Sequence, residues 1–226
     1  MPAQRLGNHP TSVFKYDVVA LDSPAEAEFI CHVGLADEER DDILQNSMIA
    51  IVHMKPPLQS EDRFPIHAFG RADLQVGELR QIGVFIDEQA SEYEADKIRR
   101  GHQYTILPHC KESDATCSVR RFSCAGFVIV AYSYAGIELV TTNTASLPVV
   151  SLEALIRAYP SFERNLKSTA ERAKFGLIGD GPWPVILAGY IVNALNRSSE
   201  EIRREPYIPR VGDDYFLPRP ENGESS

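Results

Sequence analysis

Cysteine is scarce in this chain. There are four, Cys31, Cys110, Cys117 and Cys124, among 226 residues. So few thiols in so long a chain do not form a disulfide framework, and reduced cysteines are expected. None forms a closely spaced Cys pair of the kind zinc sites use, so His102, His109, Cys110 and Cys117 carry no ligand pattern. No metal and no cofactor are expected. Long apolar runs are also lacking. The longest, Trp183 to Leu195, is too short to span a bilayer. The segment from Met1 to Thr11 is polar and has no apolar signal core, which makes a cytoplasmic protein without a membrane span the expectation. Positive charge is in deficit: 23 Lys and Arg face 32 Asp and Glu, a net −9, which argues against nonspecific nucleic-acid binding. Gly176, Gly179 and Gly181 are followed by no Lys-Ser/Thr pair, so they form no phosphate loop. No internal repeat is present.

Hydrophobic residues make up 43% of the chain, enough for a core. Short apolar runs predict strands at Asp17–Leu21, Phe29–Leu35, Met48–Met54, Phe64–Phe69, Ile82–Ile86 and Gln103–Leu107. Residues 37–46 read as a short helix or loop. Helices are expected over Glu88–Arg100, Ala125–Ala135, Ser151–Ala158 and 161–174. A further one is opened by Pro182-Trp-Pro184 and runs to about Asn196. Strands followed by helices imply an α+β fold. A single domain over residues 14–203, a flexible start over 1–13 and an extended tail over 204–226 are predicted.

The most informative segment is Phe122-Ser-Cys-Ala-Gly-Phe-Val-Ile-Val-Ala-Tyr-Ser-Tyr-Ala-Gly-Ile-Glu-Leu-Val140. A thiol stands where a polar loop turns into a helix apolar on nearly every side, which must be buried. The first turn of a helix offers unpaired N–H groups and the positive end of its dipole. Both stabilise a thiolate at Cys124 and an oxyanion on a carbonyl under attack. This position predicts Cys124 as the most reactive thiol, labelled well below pH 8.5. A small buried thiol in a core helix is the plainer reading of the same pattern.

The segment resembles the nucleophile motif of NlpC-type peptidases, Cys-Ser-Gly-Phe-Val followed by an aromatic residue, Ala-Gly-Ile and Leu-Pro. Here Cys124-Ala-Gly-Phe-Val128, Tyr132 and Ala135-Gly-Ile-Glu-Leu139 follow it, with Ala125 in place of the usual Ser or Glu and Val140 in place of Pro. A cysteine nucleophile needs a base, ordinarily histidine. All six histidines (His9, His32, His53, His67, His102, His109) precede Cys124, the reverse of the ordinary order in that family. The order is similar to that of circularly permuted relatives, which include the lecithin retinol acyltransferase group. Asp17-Val-Val-Ala-Leu21 is similar to their first strand, Cys31-His-Val-Gly-Leu35 to their histidine strand, and Ile66-His-Ala-Phe-Gly70 to the strand with a third polar residue.

The resemblance implies a permuted papain-like antiparallel sheet with a buried nucleophile helix. In it Cys124 is the nucleophile, His32 the base and His67 the residue that orients the imidazole. His53 rivals either histidine, and Cys31, beside His32 on the strand, reads as core on the opposite face. The implied function is an intracellular thiol hydrolase or acyltransferase on an amide or peptide bond, with a lipid acyl group as a variant substrate. The alternative is a non-catalytic binding or scaffold protein with a degenerate site.

Overall fold

The computed structural model describes residues 3–5, 11–23, 26–44, 46–55, 58–99, 104–106, 108, 110–111 and 120–215. The first half is strands: β1 (Gln4–Arg5), β2 (Thr11–Val13), β3 (Val18–Ser23), β4 (Glu26–Ala36), β5 (Arg40–Ile43), β6 (Met48–Met54), β7 (Leu58–Pro65) and β8 (Ala68–Gly70). The long helix α1 (Val76–Arg99) follows, then two short strands, β9 (Cys110–Lys111) and β10 (Arg120–Arg121), and helix α2 (Cys124–Tyr134). The remainder holds β11 (Val149–Val150), α3 (Leu152–Ala158), α4 (Glu163–Lys167), α5 (Thr169–Lys174), β12 (Trp183–Pro184), α6 (Ala188–Leu195) and α7 (Ser199–Arg204). This is an α+β fold around one six-stranded antiparallel sheet of order β1-β8-β3-β4-β6-β7.

Alternation along the strands divides the apolar residues between two faces. Val33 and Leu35 of β4 and Val52 and Met54 of β6 join the larger core, which contains α2 and α6. Ala36, Ile49, Ile51 and Phe69 face the other way and form a smaller core with Val13 and Ile43 of the β2–β5 pair. Helix α2 is buried from Cys124 through Tyr132 because it offers no polar face to water. It lies against β4, β6, α1 and α6. Burying each large apolar side chain of such a helix contributes about 1.5–3 kcal/mol. Gly136, at φ +76°, closes the helix in a conformation that side chains disfavour.

Several sequence expectations are corrected. Ile82–Ile86 is the middle of α1, not a strand; Ile82, Phe85 and Ile86 recur at helical spacing and are its buried face. Residues 40–43 form β5 rather than a helix or loop. Phe64–Phe69 is split by a bend at His67 into the end of β7 and β8. The helix expected over 161–174 is interrupted at Ser168, whose hydroxyl accepts from the Glu171 N–H and caps α5. Trp183-Pro184 pairs with β11, and the apolar helix begins only at Ala188. Within 1–13, β1 pairs with β8 and β2 with β5, so the described part of that segment is built into the sheets. Within 204–226, residues up to 215 pack on the core: Asn193 of α6 donates to the carbonyls of Asp213 and Tyr215, both at 2.8 Å. There Gly189 lies so close under the chain that an added Cβ would meet the Asp214 carbonyl oxygen at 2.4 Å. Of the strand expected over Gln103–Leu107, Tyr104 makes an isolated bridge to Phe122, while 103 and 107 lie outside the described residues.

One buried ion pair ties β3 to the chain just beyond β8. Arg71 donates to Asp17 from Nε and Nη2, at 3.0 and 2.8 Å to Oδ2, and from Nη2 to the Ser12 carbonyl at 2.8 Å. Burial pushes the Asp17 carboxyl up from its usual range despite this partner. Removing one member of such a pair strands the other. Arg71→Ala is expected to lower unfolding free energy by about 3–5 kcal/mol in urea titration. A loss below about 1 kcal/mol, the level of an exposed pair, would contradict that role.

Candidate active site

Ser123 builds the head of α2. Its hydroxyl accepts from the Gly126 N–H at 3.0 Å, which fixes the first turn and sets Cys124 as the first helical residue. Cys124 is fully buried. Desolvation pushes its thiol up from the ordinary value, against the backbone N–H groups of Val33 and Ala125 and the Tyr104 hydroxyl, which favour the thiolate. The expectation of a depressed thiol is therefore corrected: the helix-start donors are present, and burial outweighs them. Burial thus favours the neutral thiol at Cys124.

The Val33 N–H brings Cys124 to the strand that carries His32. The β4–β6 ladder is registered at Leu35 with Val52 and Ala36 with Ile51. A pocket of about 600 Å³ opens next to these pairs, and His32, His53, Met54 and Phe64 line it with Tyr104 and Phe162. Cys31 also lines it, and its Sγ–H donates to the Leu21 carbonyl at 3.6 Å. The β3–β4 register shifts beside Cys31, at Leu21/Asp22. Desolvation, then the nearby Cys124, push the Cys31 thiol up to about 12.

The imidazole of His32 does not reach Cys124: among the described residues no hydrogen bond joins any imidazole to the thiol. Gly34, two residues along β4, sits directly against His53, where an added Cβ would meet the His53 Cβ at 2.9 Å. His32 turns to this same side. Its Nε2 lies 2.7 Å from Nδ1 of His53, and Nε2 of His53 lies 3.1 Å from Oδ2 of Asp62 on β7. A carboxylate only accepts, so His53 carries its proton on Nε2 and presents a lone pair at Nδ1. His32 must then donate from Nε2, which leaves Nδ1 as its basic nitrogen. Phe64 packs on both rings, with centroids 6.1 Å from His32 and 5.0 Å from His53.

The hydrogen-bond partner of His32 among the described residues is His53, not His67. Strand β8 pairs with β3 on the side away from β4, whereas β6 is the direct neighbour of β4. His67, at the bend before β8, accepts from the Asp22 N–H through Nδ1 at 2.9 Å. Asp62 stands in the polar stretch Ser60-Glu-Asp-Arg63, which carries no apolar pattern. The signal that reveals it is the β6–β7 hairpin register, which pairs Ile51 with Asp62. His9, His102, His109 and Cys117 lie outside the described residues, as does the side chain of Cys110. Among the described residues no cluster of three or more His, Cys, Asp or Glu is arranged to hold a metal ion. No helix among them is long and apolar enough to cross a membrane.

No protein-family model matches the chain, and no curated protein and no solved structure matches it.

Burial pushes the His32 imidazole down to about 3, with His53 and Lys55 adding to the effect, and pushes His53 down as well. In the unfolded chain histidine takes up its proton near pH 6.5. The folded state thus binds fewer protons than the unfolded state between pH 6.5 and 3, and stability falls as pH falls through that window. Between pH 7 and pH 5 the wild-type protein is expected to lose about 2 kcal/mol more than His32→Asn, read from urea midpoints at both pH values. Equal losses in the two proteins would show that His32 is not held neutral.

Proposed function

We propose that the protein is a thiol hydrolase or acyltransferase that works through an acyl-thioester on Cys124, in a circularly permuted papain-like arrangement. The observation that carries this reading is the His32–His53–Asp62 chain on a pocket that shares Tyr104 with the head of the cysteine helix. An intracellular amide or peptide bond is the preferred substrate class. A lipid acyl group is a variant that the apolar and aromatic pocket wall accommodates.

Burial favours the neutral forms of both groups. A neutral thiol and a neutral imidazole make general-base activation the route, rather than a standing thiolate–imidazolium pair. In the first step Sγ bonds to the substrate carbonyl carbon as its proton passes to Nδ1 of His32. Asp62 and His53 favour the resulting imidazolium through the hydrogen-bond chain. The tetrahedral oxyanion is held by N–H groups at the head of α2. Collapse breaks the C–N bond, and the proton on His32 goes to the departing amine. Water, or another nucleophile, then gives its proton to His32 and cleaves the thioester, returning the thiol. For the imidazole to serve, the thiol and Nδ1 of His32 must come together when substrate enters, with the Nε2 bond to His53 kept.

The full burial of Cys124 and its missing imidazole bond favour a second reading, a binding or scaffold protein with a degenerate site. Turnover of p-nitrophenyl acyl esters and peptide anilides, with mass spectrometry of the protein, separates the two. The expected outcome is a covalent adduct on Cys124, no turnover by Cys124→Ala, and a loss of about 10²–10⁴-fold in His32→Ala. Absence of any adduct in the folded wild-type protein, or undiminished turnover in Cys124→Ala, would favour the binding reading.

A further inference from the structure

An oxyanion donor is useful only if it is free when the carbonyl arrives. The Cys124 N–H is occupied: it donates to the Tyr104 hydroxyl at 3.3 Å. That hydroxyl also faces the sulfur, where it favours the thiolate. Tyr104 lines the pocket, whereas Cys124 is fully buried.

The backbone around Tyr104 is anchored. The Thr105 N–H donates to the Phe122 carbonyl at 3.3 Å, and the Thr105 hydroxyl and Ile106 N–H donate to the Phe175 carbonyl at 2.9 and 3.0 Å. Further along, the Pro108 carbonyl lies directly on Gly126, where an added Cβ would sit 1.7 Å from its oxygen. The Tyr104 side chain makes ring contacts to Phe162 at 5.2 Å and to Tyr159 and Phe175 at 6.4 Å. Rotation of this side chain leaves those backbone bonds in place.

We propose that Tyr104 is a displaceable plug: its hydroxyl occupies the position that a substrate carbonyl oxygen takes at the Cys124 N–H, and its ring separates the thiol from the pocket until a carbonyl ligand displaces it. The proposal rests on the thiol-hydrolase reading of Cys124. It makes Tyr104 a residue that controls access, selecting ligands able to replace both its hydrogen bond to Cys124 and its contact with Phe162.

The test is alkylation by iodoacetamide at pH 8 with peptide mapping, in wild-type protein, Tyr104→Phe and Tyr104→Ala. Cys124 is expected to react slowly in the wild type and at least about ten-fold faster in Tyr104→Ala, because an accessible thiol reacts where a sealed one does not. Tyr104→Phe, which keeps the ring and loses the hydroxyl, falls between. Cooperative thermal unfolding monitored by circular dichroism establishes that each variant is folded. If Tyr104→Ala does not fold, Tyr104→Leu replaces it and the same increase is expected. Equal Cys124 rates in wild type and a folded variant, fast or slow, would overturn the plug. Alkylation needs no turnover, so its outcome is independent of the acyl-enzyme assay. A thiol that is released by the substitution but never acylated by substrate would sink the hydrolase reading and leave the plug standing.

Discussion

Helix α2 has no side that water can wet, and the molecule is arranged around that constraint. A helix apolar all round must be enclosed. The sheet supplies one wall through Val33 and Leu35, and α1 and α6 supply others. Enclosing the helix also encloses its first residue. Cys124 therefore stands in the interior because of the ten residues that follow it, and every property of the thiol derives from that depth.

Depth sets the electrostatics. A helix start, a strand N–H and a tyrosine hydroxyl all favour the thiolate, and desolvation still prevails. The same dehydration keeps His32 and His53 neutral. What survives in such an environment is direction rather than charge. The half-exposed Asp62 accepts from one histidine, that histidine accepts from the next, and the tautomers of both rings follow from the one acid at the rim.

Much of this was legible in the sequence, and what was not has a common cause. The burial of α2, the strand over Met48–Met54 and the strand carrying His32 follow from apolar pattern alone. The α+β class follows from their order. The misreadings lie where neighbours, not local pattern, decide. Ile82–Ile86 is four apolar residues and a glycine, whose period is ambiguous until the flanking helix is seen. The resemblance names His67 as the partner of His32, with His53 a rival, and the sheet order puts β6, not β8, beside β4. Cys124 has every local feature of an activated thiol, and only the surrounding fold reveals how far water has been withdrawn from it. Asp62 offers no local clue at all, because it acquires its role from a hairpin register.

The closure of residues 213–215 over α6 bears on how the chain reaches this state. Asn193, buried in the helix, has its amide satisfied by the Asp213 and Tyr215 carbonyls, and Phe29 of β4 forms a bridge with Tyr215. At the opposite edge Ala3 donates to the Leu195 carbonyl. A chain made from its N-terminus thus leaves Ala3 and Phe29 without these partners until segments synthesised almost two hundred residues later arrive, whereas α6 is covered by residues that follow it closely. Contacts so distant in sequence make folding slow, and the half-made protein exposes during synthesis the surface it later hides most completely.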